Sequence, residues 1–572
     1  MRIPGTKLIR ASERQPWTAQ AVVALTIVMA FGANRSASSA TLAAVAAPPV
    51  PRDDPAAACA AFQPSLNFSP MVQYLAQIPD AATTVISAKI VAPERGVPEL
   101  CRIEGLIAPT IGFVLKLPTK NWNGKMLMGG CGGPCGTISN DKFDAPLTRN
   151  YAVIATDMGH KGVGWAFGYQ NLLGLMDFGS RATHLTAVAG KQLVNLYYSQ
   201  SAKQSYFYGC STGGRQAMVE AQRFPEDFNG IVGGAPPYDQ TGDTPLFLSW
   251  GARANVDANG KAILDASKLP LIHAAVMKAC ATKSDKALDV LQNPLACDWD
   301  PGAIACKNGE ALQSCLTDAE ADVVRKIYTG ATNSKGRKLY FGMPRGSELG
   351  WSPSFVNKDG KPGDYLSGFG GAGNSMMTYA GLFYSPGPTY KETDFDYDRD
   401  PQRLGVMEWL YSAKNPDLRA FKAAGGKLIL FHGWDDNQIP AGATVDYYDT
   451  ATRTVGGIDA TRPFFRLFMF PGMGHCRGGP GGGDFDWLTA LENWVEKDQA
   501  PDQVTAYHQK AETYPMVTNA AGETYVQMPR YPLPEDSYDR TRPVYAYPDV
   551  AMWNGKGDPG KAENWTKAPR RR

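Results

Sequence analysis

The stretch at residues 205–225, SYFYGCSTGGRQAMVEAQRFP, leaves the chain little freedom. SYFYG is a short apolar run, and GGRQAMVEAQRF carries a helical pattern that stops at Pro225. Between them, Gly209-Cys210-Ser211-Thr212-Gly213 fits G-x-S-x-G. When a buried strand turns this sharply into a helix, only small residues fit on either side of the serine. The turn also aims the serine at a helix N-terminus, which favours a developing negative charge. The stretch therefore predicts strand–helix layering and makes Ser211 a candidate nucleophile. The competing reading is a Gly-rich turn with an idle serine.

The rest of the chain repeats this alternation. TTVISAKIVAP, IGFVLKLP, GKMLMGG, NYAVIATDMGH and GIVGGAP read as strands, and residues 179–200 place apolar residues at helical spacing. Strands alternating with helices predict an α/β fold with a parallel sheet. From residue 238 to 412 the text changes to Gly, Pro, Asn and Tyr with few strand runs. The alternation resumes at PDLRAFKAAGGKLILFHGWDDNQIP and ends with FFRLFMFPGMGHC. Residues 47–237 and 413–572 thus read as one catalytic domain, interrupted by an insertion at 238–412. The chain shows no internal repeat.

Residues 1–46 have the layout of a signal peptide: Arg2, Lys7, Arg10 and Arg14, then the apolar AVVALTIVMAFG, then small residues ending at Ala40 or Ala46. The apolar core is short for a membrane span, and an uncleaved anchor is the alternative. A net charge of +2, from 57 basic and 55 acidic residues, gives no footprint for nucleic acid. The ten cysteines form an even set, which in an exported chain reads as disulfides. The six histidines are scattered and no CxxC pair occurs, which argues against structural zinc.

A serine hydroxyl needs a base, and the base needs an orienting acid. KLILFHGWDDNQIP offers Asp435 and Asp436, and RLFMFPGMGHC offers His475. Each follows a strand, in the chain order Ser, Asp, His. His432 is a rival base, but it ends an apolar strand ahead of the acid and reads as structural. Cys210 touches the nucleophile in sequence and Cys476 touches the base. If Ser211 and His475 meet, their neighbours come close too, so a Cys210–Cys476 disulfide would staple the two catalytic loops. Two unrelated buried thiols are the alternative.

GCSTGGRQ, GIVGGAP, HGWDDNQIP and PGMGHC together resemble the tannase and feruloyl esterase family of α/β-hydrolases, over almost the whole mature chain. The resemblance implies an α/β-hydrolase fold with 238–412 as a lid that shapes the acyl pocket. It places the acid at Asp436 rather than Asp435, giving a Ser211, His475, Asp436 triad. It makes GGCGGPCG an oxyanion loop, with N–H groups of Gly132 or Gly133 and of Thr212 receiving the charge. It implies the pairs Cys280–Cys297 and Cys306–Cys315, an added Cys131–Cys135, and Cys59–Cys101 as the N-terminal bridge. Lids of the family bind calcium through aspartates whose positions here hold Ala281, Ser284 and Leu288, so no metal and no cofactor is expected. Asp285 and Asp289 lie one place off that pattern. The implied activity is a secreted or periplasmic serine esterase acting on feruloyl- or galloyl-type esters, on plant polysaccharide or polyphenol, without nucleic-acid or membrane partners. Terephthalate monoesters are the alternative substrate, and a non-catalytic phenolic- or carbohydrate-binding protein is the alternative class. Residues 365–384, YLSGFGGAGNSMMTYAGLFY, are a candidate acyl-pocket wall or ordinary lid core.

Overall fold

The computed structural model describes residues 54–62, 75–76, 81–358 and 395–570, apart from 139, 163, 353 and 519–523. Residues 1–46, read as a signal peptide, and the aromatic stretch at 365–384 lie outside the described residues.

One sheet contains β1 (Leu75–Ala76), β2 (Thr83–Val91), β3 (Leu100–Ile107), β4 (Ile111–Pro118), β5 (Lys125–Gly129), β6 (Ala152–Thr156), β7 (Gln204–Cys210), β8 (Gly230–Gly234), β9 (Lys427–Gly433) and β10 (Phe465–Phe470). Their spatial order is β1-β2-β3-β4-β6-β5-β7-β8-β9-β10. From β6 through β10 every pairing is parallel. β4, β8 and β10 are buried along their whole length. That is why these segments read as unbroken apolar runs rather than as alternating patterns.

The sheet is mixed, whereas the alternation predicts a parallel one. β1 to β4 pair antiparallel with one another, and β4 pairs antiparallel with β6. Only residues 108–110 separate β3 from β4. A parallel crossover needs a dozen residues or more, so a link this short can only close an antiparallel pair. β3 is also absent from the predicted strands. Arg102 and Glu104 break its apolar run by facing away from the core, while Leu100, Cys101 and Ile103 are buried.

β8 and β9 are hydrogen-bonded neighbours, from Gly230↔Lys427 to Gly234↔Phe431, although residues 235–426 lie between them in the chain. That intervening segment holds the helices Leu269–Cys280 and Asp318–Thr329. It also holds the disulfides Cys280–Cys297 and Cys306–Cys315. At the other edge of the sheet, Cys59–Cys101 ties the helix Pro55–Ala60 to β3. Beyond β10 the helix Trp487–Lys497 buries Trp487, Leu491 and Trp494 in a cluster that includes Ile429, Phe431 and Phe468.

Candidate active site

Ser211 stands between β7 and the helix Thr212–Arg223, with φ 63° and ψ −124°. A non-glycine residue in this region is strained, and such residues persist only where the surroundings hold them. The glycines of the turn are dictated by space. A Cβ on Gly209 would come within 2.6 Å of the backbone of Gly213. Behind the turn the helix is anchored by Arg215, which is fully buried and donates to the carbonyls of Gly179 (2.8 Å) and Phe178 (2.7 Å).

The two aspartates after β9 have opposite environments. Asp436 is fully buried and its Oδ2 accepts from His475 Nδ1 at 2.8 Å. Its Oδ1 accepts the N–H groups of Gln438 (2.8 Å) and Ile439 (3.0 Å). Burial pushes the Asp436 carboxyl up, but the charge and hydrogen bonds of His475 and His432 more than offset this, and the net direction is down. Asp435 is part-buried, and burial together with the charge of Glu348, opposed by His273, pushes its carboxyl up to about 8. Only Asp436 is thus held as a carboxylate on the histidine. Because Nδ1 of His475 faces that carboxylate, the ring carries its proton there and leaves Nε2 bare.

The acid and histidine loops lie against each other because Gly433 lets them. A Cβ at Gly433 would fall 2.1 Å from the carbonyl of Met473. Asp435 N–H donates to that same carbonyl at 3.0 Å. The serine and histidine loops are joined by the Cys210–Cys476 disulfide, with Cα atoms 6.0 Å apart across a sequence separation of 266. Cys476, like Ser211, has a positive φ, 68°.

The loop after β5 closes over the start of the same helix. Thr212 Oγ1 donates to Gly133 O at 2.7 Å, and Cys131 N–H donates to Gln216 Oε1 at 3.0 Å. Gln216 in turn donates to Thr183 Oγ1 at 2.8 Å, which fixes its amide. Cys131–Cys135 is bonded and tightens the loop. Among the described residues no hydrogen bond takes up the N–H of Gly132 or Gly133, and Gly132 has nothing within 4 Å of where a Cβ would stand. Gln216 is not singled out by the sequence as a site residue, whereas His432 is weighed as a rival base. Gln216 carries no motif of its own. His432, five residues after the start of β9 and ahead of the acid, reads from sequence as structural.

The sequence profile described as tannase and feruloyl esterase matches residues 95–568. The chain belongs to the tannase and feruloyl esterase family. It is 31% identical over 565 residues to the mono(2-hydroxyethyl) terephthalate hydrolase of Piscinibacter sakaiensis, covering 86% of this chain and 89% of that one. It is 29% identical over 487 residues to a probable feruloyl esterase B-2 of Aspergillus flavus, covering 78% and 88%. Among solved structures, feruloyl esterase B from Aspergillus oryzae superposes with a TM-score of 0.72 at 24% identity, covering 90% of this chain and all (100%) of that one. Tannin acyl hydrolase from Aspergillus niger superposes with a TM-score of 0.67 at 18% identity, covering 90% and 94%. The fold is accordingly that of the α/β-hydrolase esterases, and this tannase/feruloyl esterase family member is a carboxylic ester hydrolase.

Two places in this family member bear on metal binding. In the segment between β8 and β9, Asp285 is spent on capping the helix Lys283–Leu288. Its Oδ2 accepts from Thr282 N (2.7 Å) and Thr282 Oγ1 (2.6 Å), and its Oδ1 from Gln292 N (2.6 Å). Ser284 Oγ accepts the N–H of Trp553 at 3.0 Å. The buried guanidinium of Arg542, held down to about 10 by burial, feels the charge of Asp285 and donates to Gln292 Oε1. Elsewhere, His184, Glu220 and Asp227 bring donor atoms within 4.8 Å of one another. Lys191 Nζ stands 3.5 Å from Asp227 Oδ1, and His184 Nδ1 lies 2.6 Å from Asp227 Oδ2. Burial and the neighbouring Asp227 push the Glu220 carboxyl well up.

Proposed function

We propose that the enzyme is a secreted serine esterase acting on esters with an aromatic acyl group, through Ser211, His475 and Asp436. The observation that carries this reading is the 2.8 Å hydrogen bond from His475 Nδ1 to the buried carboxylate of Asp436, with the Cys210–Cys476 bond holding the ring's loop beside the serine. Ser211 Oγ attacks the ester carbonyl while Nε2 of His475 takes its proton. The tetrahedral intermediate's oxygen is received by the N–H groups of Thr212 and of Gly132 or Gly133. The same histidine protonates the leaving alcohol, and a water activated by Nε2 then cleaves the acyl-enzyme. Asp436 keeps the ring in the tautomer that leaves Nε2 bare and stabilises the imidazolium as it forms.

The 238–412 insertion acts as the lid that shapes the acyl pocket, and no cofactor takes part. Export is supported by the leader at 1–46 and by five disulfides. Among the described residues no helix is long and apolar enough to cross a membrane. A terephthalate monoester is the second reading, favoured by the 31% identity to a hydrolase of that substrate. A panel of methyl ferulate, methyl gallate and mono(2-hydroxyethyl) terephthalate tests both. Faster turnover of the ferulate or gallate ester supports the first reading, faster turnover of the terephthalate the second. Hydrolysis of none would overturn the aromatic-ester assignment.

The lid also works without calcium in this proposal. Asp285 caps a helix, and Arg542 already supplies a positive charge to it. A bound ion would stabilise the fold by mass action. Melting curves in EDTA and in millimolar calcium are therefore expected to coincide, and a calcium-dependent rise in Tm would show that other ligands hold the ion.

A further inference from the structure

The carboxylate that orients His475 is shared. Oδ2 of Asp436 also lies 3.1 Å from Nε2 of His432, a side chain with no exposed surface on β9. That same Nε2 is 3.2 Å from the carbonyl of Ile439. Both of these neighbours can only accept, so Nε2 carries the proton and donates to the two of them. The other ring nitrogen, Nδ1, lies 2.8 Å from Thr444 Oγ1 on the helix Ala441–Val455. A hydroxyl serves that nitrogen as donor or acceptor, so Thr444 fixes the ring's orientation while Nε2–H stays on Asp436.

We propose that His432 is a positioning residue for the ester hydrolysis: it holds Asp436 Oδ2 from behind and moderates the pull of that oxygen on His475. The proposal rests on the triad reading above. Its physical content is a competition for one oxygen. A carboxylate oxygen that accepts a second N–H presents less unshared negative charge to the first. His475 must be bare at Nε2 to take the serine proton, so a stronger pull from Asp436 favours the imidazolium and leaves less active enzyme at low pH. His432 therefore extends activity toward acid pH while fixing the carboxylate in place.

The other groups that face Asp436 do not supply this. Asp243, from the segment after β8, is buried, and burial together with the charge of Asp436 pushes its carboxyl well up. Asp435 is perturbed by Glu348 and His273. Gln438 and Ile439 donate to the other carboxylate oxygen, Oδ1.

The test is the pH profile of kcat/KM on para-nitrophenyl acetate. His432→Leu removes the N–H while keeping a buried apolar group. It is expected to lower kcat about a hundredfold, the cost of a misplacement of about 1 Å. It should also move the acid limb to higher pH by roughly half a unit or more. His432→Gln keeps an N–H toward Oδ2 and should recover most of kcat with the limb near its parental place. Should His432→Leu fail to fold, Thr444→Val releases the ring's other nitrogen and is expected to shift the limb the same way by less. A folded variant of either kind whose acid limb coincides with the parent's overturns the proposal, whatever its kcat, because packing alone would then explain the loss. Ser211→Ala is run alongside. If it is inactive and the limb has not moved, only the role of His432 falls; if it still turns over ester, the triad reading falls and takes this proposal with it.

Discussion

Ser211→Ala is expected to abolish ester turnover, by a factor on the order of 10⁵–10⁶ in kcat, with Tm unchanged. The hydroxyl sits at a strained elbow at the head of the Thr212–Arg223 helix, and alanine fits the same backbone. The two adjacent aspartates should then separate sharply. Asp436→Asn should cost about 10⁴ in kcat, because an amide beside Nδ1 can hold the ring in the wrong tautomer. Asp435→Asn should cost about tenfold or less, since its carboxyl is pushed up to about 8 and an amide resembles the neutral acid. Kinetics of the three purified variants on one aromatic ester decide the matter. Equal losses at 435 and 436 would sink the assignment of the acid.

The second large effect belongs to the bond between the loops. Cys210→Ala/Cys476→Ala opens a covalent ring spanning 266 positions. In the chain-entropy account that bond is worth roughly 5 kcal/mol, less any native strain. The double variant is expected to melt well below the parent and to lose about a hundredfold in kcat through misplacement of His475. Ser211, which flanks the bond, and Cys476, which forms it, both have positive φ, 63° and 68°. KM for a small ester should move much less than kcat, because the bond positions the catalytic groups rather than the acyl pocket. A double variant with parental activity and parental Tm would show the bond to be incidental.

Much of this was legible because it is local. An apolar run meeting a helical pattern at G-C-S-T-G has one compact solution, and β7, Ser211 and the Thr212–Arg223 helix take it. The adjacency of Cys210 to Ser211 and of Cys476 to His475 joins two distant loops by a single inference, and the bond is present. The antiparallel half of the sheet escaped the reading because apolar runs announce burial, whereas direction is set by the length of the link. β3 escaped because its outward residues are charged.

The residue pattern by itself determined the α/β layering, the strand-to-helix turn at Ser211, the order serine, aspartate, histidine, and the long segment between β8 and β9. Each of these is a statement about a short window or about sequence order, which periodicity and sterics fix. Tertiary structure alone decided what neighbouring residues of identical type do. Asp435 and Asp436 differ only in what surrounds them: one is set against Glu348 and the other receives two imidazoles. The same holds for His432, whose ring reaches the carboxylate because the chain turns back on itself within four residues after β9. It holds too for Arg542, brought to Gln292 from 250 positions away and set beside the charge of Asp285. Desolvation and short-range electrostatics depend on atoms distant in sequence, and only the folded chain brings them together.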